Sequence, residues 1–148
     1  MIIAIGSDHA GFEMKGQLAQ WLQELGHESI DCGTYSGDSV DYSDFAVAVG
    51  EAINGGTAQL GILMCGTGQG SAMAANKIKG IRAALCNDPY SARLTREHNN
   101  ANVLVMGSRV IGPGLARDCV EAFLDTPFSH GERHQRRIEK LMLLEQTL

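Results

Sequence analysis

Short runs of β-forming apolar residues alternate along this chain with amphipathic segments long enough to be helices. Strands are predicted at Ile2–Ile5, Glu28–Asp31, Leu60–Met64, Arg82–Leu85 and Val103–Met106. Helices are predicted at Phe12–Leu25, Ser43–Ile53, Ser71–Lys77, Pro89–His98 and Glu132–Gln146, with one more after Pro113. This alternation predicts an α/β fold with an open, mostly parallel sheet of five strands. The strand runs show little polar alternation, which is typical of a sheet covered on both faces.

Composition and charge limit the classes of partner. The chain has 148 residues, 44% hydrophobic and 20% charged, which is typical of one globular domain, expected over residues 1–148. The net charge of −5 disfavours nucleic acid and anionic membrane surfaces, because both select a basic face. No apolar run approaches the ~18 residues that cross a bilayer, and the N-terminal run breaks at Gly6 without a basic segment before it. We therefore expect a cytoplasmic domain.

The cysteines and histidines give no metal-binding pattern. Four cysteines are scattered without a CxxC pair, which disfavours a zinc ribbon or a thioredoxin-type redox pair. Dispersed cysteines in a chain of this size are typical of reduced thiols in the cytosol. The histidines lack HExxH or similar spacing. We therefore predict no metal and no cofactor.

The residues that follow the first and third strands are the best functional candidates, because ligands of parallel α/β sheets bind beyond the carboxyl ends of the strands. Ser7-Asp8-His9-Ala10-Gly11 follows the first strand, and Cys65-Gly66-Thr67-Gly68-Gln69-Gly70 follows the third. The alternating glycines let backbone N–H groups turn toward one centre before a helix, which attracts negative charge. The loop lacks the final glycine of GxGxxG, the Lys-Ser/Thr pair of a P-loop and the arginine of a cysteine phosphatase. It therefore predicts an anion cradle with a thiol at its entrance.

Cys65 is the candidate functional thiol, since a strand end beside a helix N-terminus is a place where a thiolate is stabilised. The other three cysteines, Cys32, Cys86 and Cys119, are interpreted as structural thiols. His9, beside Asp8 after the first strand, is a functional candidate.

Two further groups admit two interpretations each. His98 is equally compatible with a functional role and with a favourable position at a helix C-terminus. Arg133 and Arg137 share one helix face, where they either pair with local glutamates or contact a phosphate bidentately.

Four separated segments resemble one known family. SDHAGF, ILMCGTGQGSAMAANKIKGIRAA, DPYSARLTREHNNANVLVMGSRV and GERHQRRI follow one another over essentially the whole chain. Together they resemble the type B ribose-5-phosphate isomerases, a family that also includes allose-6-phosphate and galactose-6-phosphate isomerases. The resemblance implies a three-layer Rossmann-like sandwich with a five-stranded parallel sheet. It also implies a homodimer or homotetramer with active sites shared between subunits.

The same resemblance implies the reaction. It is the metal-independent interconversion of ribose 5-phosphate and ribulose 5-phosphate through an enediolate, as in the pentose phosphate pathway. A six-carbon substrate, allose 6-phosphate or galactose 6-phosphate, stays open as the alternative. Two other classes are a non-catalytic sugar-phosphate sensor, expected to lack Cys65 or His98, and a thiol-nucleophile hydrolase.

The resemblance also implies a role for each matching residue. Cys65 is the base that moves a proton between C1 and C2, and His98 opens the furanose ring. The loop that holds the enediolate oxygens, with Thr67 as a catalytic member, consists of Gly66, Thr67, Gly68, Gln69 and Gly70. Asp8, His9 and Asn99 bind substrate, and Arg133 and Arg137 take the phosphate. Tyr42 and Arg109 lie in similar contexts without an assigned contact.

One position selects the base. Some family members carry a glutamate base at the position of Gln69. A glutamine amide cannot accept the proton as a carboxylate does, so the role falls to Cys65.

Overall fold

A computed structural model of the chain describes residues 1–147; Leu148, the last residue of the predicted domain, lies outside the described residues. The elements in chain order are β1 Ile2–Ser7, α1 Phe12–Glu24, β2 Glu28–Asp31, α2 Tyr42–Asn54, β3 Leu60–Cys65, α3 Gln69–Ala75, β4 Ala83–Leu85, α4 Pro89–Asn99, β5 Val103–Gly107, α5 Pro113–Asp125 and α6 Glu132–Thr147. The strands form one sheet in the order β2-β1-β3-β5-β4, and every pair is parallel. The predicted five-stranded parallel sheet is confirmed.

Helices cover both faces of the sheet, which gives the predicted three layers. One face packs against α1, α4 and α5 through a core whose largest side chain, Phe123, is fully buried. The other face packs against α2 and α3 through a smaller core that includes Val49 and Leu63. Because both faces are buried, the central strands are apolar along their length. No helix within residues 1–147 is long and apolar enough to span a membrane.

The strand ends differ from the predicted ones in a way that shapes the site. β1 extends to Ser7 and β3 to Cys65, beyond the apolar runs. The extension follows from pairing, since Ser7 pairs with Met64 and Cys65 pairs with Gly107 of β5. Cys65 is therefore a strand residue held by the ladder.

The third helix also begins earlier than predicted. α3 spans Gln69–Ala75 instead of 71–77, because Gly68 in the left-handed region (φ 81°) forms its N-cap and Asn76 its C-cap. Gln69 and Gly70 are thus helical. The loop between β3 and α3 contains only residues 66–68.

The strand order creates one switch point. The chain leaves β1 toward β2 on one side and continues from β3 toward β5 and β4 on the other. The crevice between the carboxyl ends of β1 and β3 is where open α/β sheets bind ligands. The segments after Ser7 and after Cys65 meet there.

Two of the three cysteines interpreted as structural lie in the larger core. Cys86 is 3% exposed and Cys119 is fully buried. Burial, with a smaller contribution from the carboxylate of Asp88, raises the pKa of Cys86 to about 12 and that of Cys119 to about 11. Cys32 is half-buried, and burial followed by the charge of Asp31 raises its pKa.

The raised pKa values of Cys86 and Cys119 predict a loss of stability at alkaline pH. The unfolded chain releases their protons near the ordinary pKa of 9.0, whereas the folded chain retains them to about 11 and about 12. The stability that they contribute is therefore complete below about pH 9 and is lost as the pH rises toward the folded values. Urea unfolding between pH 7 and 10.5 should show a steeper decline for the wild type than for the Cys86→Ala/Cys119→Ala double variant. Parallel declines would contradict the assignment.

Candidate active site

The thiol of Cys65 lies at the switch point. The residue closes β3 and is 4% exposed. Because side chains alternate along a strand, Cys65 points to the same face of the sheet as Leu63, the face covered by α2 and α3. The chain then turns through the loop of residues 66–68 into α3.

Close packing requires the glycines of this loop and of the first turn of α3. At Gly68 a Cβ would lie 2.4 Å from Leu85 Cδ1 and 3.0 Å from the carbonyl carbon of Met106, and the backbone is left-handed. At Gly70 a Cβ would lie 2.6 Å from the ring of Tyr42, so this ring packs directly on the helix. The sequence left the contact of Tyr42 open, and the structure places its ring against the glycine segment.

Thr67 and Gln69 are exposed at this turn. The Gln69 N–H donates to Thr67 Oγ1 at 3.4 Å. Both side chains are accessible to a ligand at the carboxyl edge.

The loop after β1 lies beside the thiol. Asp8 is 7% exposed, and its Oδ1 accepts hydrogen bonds from the N–H groups of Ala10 at 2.9 Å and Gly11 at 3.2 Å. The Asp8 N–H donates to the Met64 carbonyl at 3.2 Å. Asp8 thus shapes the loop that presents His9 next to the end of β3.

A third strand end completes this edge. The Ser108 hydroxyl bridges two carbonyl oxygens, at 2.9 Å from that of Ala10 and 3.1 Å from that of Cys65. The Arg109 N–H donates to the Gly66 carbonyl at 2.9 Å, and the Arg109 side chain lies about 3.5 Å from where a Gly66 Cβ would be. Arg109, left open by the sequence, is therefore a cation beside the glycine loop.

The sequence prediction does not include Ser108, because it selects residues after the first and third strands and not those after the fifth. It follows β5 as directly as Asp8 follows β1, so the same strand-end rule would have found it. The residues singled out from the sequence that the structure brings together here are called the thiol-side group: Asp8, His9, Tyr42, Cys65, Gly66, Thr67, Gly68, Gln69, Gly70 and Arg109.

The remaining predicted site residues form a second group around a histidine pair. The rings of His98 and His134 lie with centroids 4.3 Å apart. Arg133 Nη2 lies 3.3 Å from His134 Nε2, and Ser129 Oγ lies 2.8 Å from His134 Nδ1. The histidine–arginine group consists of His98, Asn99, Arg133, His134 and Arg137.

His134 is the member that sequence reasoning missed. Partial burial, followed by the charges of His98, Arg133 and Arg137, lowers its pKa. At neutral pH it is therefore a neutral ring that accepts from Arg133 and donates to Ser129. Its contact with His98 depends on how α4 packs against α6, and the spacing of residues within either helix gives no indication of that packing.

The two groups lie at opposite ends of the parallel strands, one beyond the carboxyl ends and one near the amino ends. α4 starts at the carboxyl edge and runs back over 11 residues, a length of about 16 Å. The carbonyls of Asn99 and Asn100 accept hydrogen bonds from Arg82, directly before β4. Cys65 lies at the other end of the neighbouring strands. One copy of the chain thus brings together the thiol-side group and, separately, the histidine–arginine group.

Arginine side chains hold the turn that carries His98 and Asn99. Arg82 Nη2 donates to the Asn100 carbonyl at 2.8 Å, and Arg96 Nη1 donates to Asn100 Oδ1 at 3.0 Å and to the Ala101 carbonyl at 2.6 Å. Asn100 itself is left-handed (φ 46°). Hydrogen bonds from two arginine side chains therefore fix the turn at the C-terminus of α4.

Within residues 1–147, no three His, Cys, Asp or Glu side chains are grouped closely enough to hold a metal ion.

Comparison with known proteins gives one consistent family. Residues 3–141 match the family model described as Ribose/Galactose Isomerase. Ribose-5-phosphate isomerase B from Escherichia coli is 49% identical over 144 residues, 97% of this chain and 96% of that protein. The structure of ribose-5-phosphate isomerase B from Clostridium thermocellum superimposes with a TM-score of 0.97 at 48% identity, over 99% of each chain. A galactose-6-phosphate isomerase subunit from Clostridium acetobutylicum is 40% identical over 94% of this chain and 80% of that protein.

The family match and these relatives show that the chain is an enzyme. It is an intramolecular oxidoreductase that interconverts an aldose and a ketose. The chain belongs to the ribose/galactose isomerase family. The resemblance inferred from the four segments is confirmed.

The packing of Gly68 predicts a selective loss of activity. Gly68→Ala should strain the left-handed turn, displace Leu85 and lower the free energy of unfolding by roughly 1–3 kcal/mol. Displacing the loop by about 1 Å should lower kcat/KM about a hundredfold. The matched control is Gly16→Ala, an exposed position in α1 with nothing within 4 Å, which should gain roughly 0.5–1 kcal/mol and keep full activity. Equal kcat/KM for the two variants would contradict this account of the loop.

Proposed function

We propose that this enzyme interconverts ribose 5-phosphate and ribulose 5-phosphate. The observation that carries the proposal is a thiol held by the sheet at the switch point, with a glycine loop and the Arg109 cation beside it. The names of the Escherichia coli and Clostridium thermocellum relatives support the five-carbon substrate. The galactose-6-phosphate relative is less similar.

The proposed chemistry assigns one task to each part of the site. Cys65, acting as a thiolate, removes the proton from C2 of the open-chain aldose and returns it to C1. The O2 proton moves to O1 in the same isomerisation, so no atom or electron is gained or lost. Backbone donors of the glycine loop stabilise the enediolate oxygens between the two steps, and such preorganised donors are worth about 3–4 kcal/mol each.

The proton transfer needs a substrate that is already open. We assign ring opening to His98, because an imidazole is an acid and a base near neutral pH. Asn99 binds the sugar, and Arg133 and Arg137 hold the phosphate through guanidinium contacts that suit its oxygens. All four residues belong to the histidine–arginine group.

The separation of the two groups leads us to propose a site shared between two copies. The thiol-side group of one copy would be completed by the histidine–arginine group of the other. A two-fold dimer would then build two identical sites, since the same patch is used on both subunits. A tetramer made of two such dimers fits the same proposal.

The last helix supports this dimer. α6 buries Ile138 on its own chain, whereas Leu141, Leu143 and Leu144 remain about half exposed. A groove of about 770 Å³ runs between α6 and the segment around β4, and Asn99 lies in its wall. Apolar surface of this kind, next to one half of the site, is suited to contact with a second copy.

We further propose a reducing, cytoplasmic setting for the enzyme. All four cysteines are free thiols, and free thiols persist where glutathione and thioredoxin keep them reduced.

The proposed reaction is tested by following ribulose 5-phosphate formation from ribose 5-phosphate with chelator present. We expect turnover that chelator leaves unchanged. The Cys65→Ala variant should lose at least about a thousandfold in kcat at similar KM, whereas the matched Cys32→Ala variant should remain active. Turnover only with six-carbon phosphates would replace the substrate. No turnover with either would refute the reaction, and an active Cys65→Ala would refute the base.

Mixed dimers test the shared site. Cys65→Ala and His98→Asn should each be inactive as homodimers, because each lacks a group needed at both sites. After subunit exchange, half of the dimers are mixed and each has one intact site, so about a quarter of wild-type activity should return. Differently sized affinity tags verify the exchange by native mass spectrometry. Exchange without recovery would show that both groups act within one subunit.

A further inference from the structure

The ring of His9 is held in one tautomer by the backbone. His9 Nδ1 lies 3.2 Å from the N–H of Val40, which donates to it. An amide N–H can only donate, so Nδ1 must carry a lone pair, and the proton of the neutral ring sits on Nε2. His9 can therefore offer a ligand a hydrogen-bond donor at Nε2.

Val40 belongs to a connection with little regular structure of its own. It lies in the ten residues 32–41 between β2 and α2, of which residues 35–39 are exposed. A loop of this kind holds one N–H on one ring nitrogen only if it is fixed elsewhere. Its beginning is fixed by two hydrogen bonds: the Ser7 N–H donates to the Gly33 carbonyl, and the Thr34 N–H donates to the Ser7 carbonyl, both at 2.7 Å. Its end is fixed where Asp41 forms the N-cap of α2.

A buried lysine braces this beginning. Lys15 in α1 is 2% exposed, and its Nζ donates to Asp31 Oδ1 at 2.6 Å and to the Thr34 carbonyl. The same Asp31 oxygen accepts the Gly33 N–H at 2.9 Å. The ammonium also lies 5.3 Å from the ring centre of Tyr35. One cation thus contacts three successive parts of the turn that leads into the loop.

Burial and the helix dipole both make the position of Lys15 unfavourable for a positive charge. Burying an ammonium is costly unless it is paired. Lys15 also sits in the first turn of α1, where the helix dipole disfavours positive charge. An apolar side chain would fill the same space between α1 and the turn. The ammonium is therefore best explained by what it fixes.

We propose that Lys15 is a positioning residue that fixes the loop of residues 32–41 and so keeps the Val40 N–H on His9 Nδ1. His9 is thereby presented to the sugar phosphate as a neutral Nε2–H donor. The proposal rests on the proposed function only in taking His9 as a substrate-binding residue. Lys15 itself touches no substrate.

The tautomer of His9 is measured directly by nitrogen-15 NMR of histidine-labelled protein, with the His9→Gln variant assigning the signal. The wild type should show a protonated Nε2 and a lone pair on Nδ1. In Lys15→Met, which keeps the length but not the charge, the single tautomer should give way to a mixture. KM should rise about tenfold with kcat within about twofold, because one hydrogen bond to the bound substrate is weakened. Lys140→Met, an exposed lysine of α6, is the matched control and should change neither.

A second pair of variants covers the case in which Lys15→Met does not fold. Val40→Pro removes the N–H that reaches His9, and Val40→Ala keeps it. The proline variant should reproduce the mixed tautomer and the raised KM, and the alanine variant should not.

The proposal is overturned by a wild-type His9 protonated on Nδ1, or by an unchanged His9 signal in folded Lys15→Met, whether or not KM rises. It is likewise overturned if both proline and alanine variants retain the single tautomer. The NMR result is independent of turnover, so an inactive wild type would refute the proposed function and leave this test intact.

Discussion

The parallel ladder between β1 and β3 is the constraint on which the rest of the structure depends. Residues 3–7 pair one by one with residues 60–64 at the centre of the sheet, and helices cover both faces. No polar side chain can act along such strands, so functional groups are confined to their ends. The loop after β1 approaches β3 closely, since a Cβ on Gly11 would lie 2.8 Å from the Met64 carbonyl oxygen. This contact is what sets Asp8 and His9 beside Cys65.

The same ladder explains why the thiol-side group and the histidine–arginine group lie apart in one copy of the chain. A helix that returns the chain to the start of the next parallel strand must end at the amino edge. α4 obeys this rule and carries His98 and Asn99 away from Cys65. Arg82 and Arg96 then donate hydrogen bonds to four carbonyl or amide oxygens of the turn, more than a merely connecting segment requires. Hydrogen bonds within the chain fix both groups, so the dimer proposed above would only have to bring them together.

The sequence predicts most of the fold and a set of candidate site residues, but not how those residues are arranged in space. Apolar runs, Asp88 with Pro89, and Gly26 mark element boundaries through local physics, and the strand-end rule selects Cys65 and Asp8. Two observed boundaries differ from the predicted ones because they depend on residues distant in sequence. They are the end of β3, which strand pairing extends, and the start of α3, which has a left-handed N-cap. The stacking of His134 on His98 is likewise tertiary. Lys15 is the clearest case, because an amphipathic helix pattern gives no reason to expect a buried ammonium.

The cysteines differ more in their environment than in how deeply they are buried. Cys65 and Cys86 are almost equally inaccessible, at 4% and 3% exposed. Cys86 sits among apolar side chains with the carboxylate of Asp88 nearby, and both features favour its neutral form. Cys65 instead ends a strand where three loops converge, and Arg109 lies against the glycine loop that follows it. A guanidinium and the N–H groups of such a loop stabilise negative charge, which the enediolate of the proposed reaction carries. The proposed base would therefore share one polar pocket with the oxyanion that it creates, whereas burial in the apolar core raises the pKa of Cys86 and Cys119.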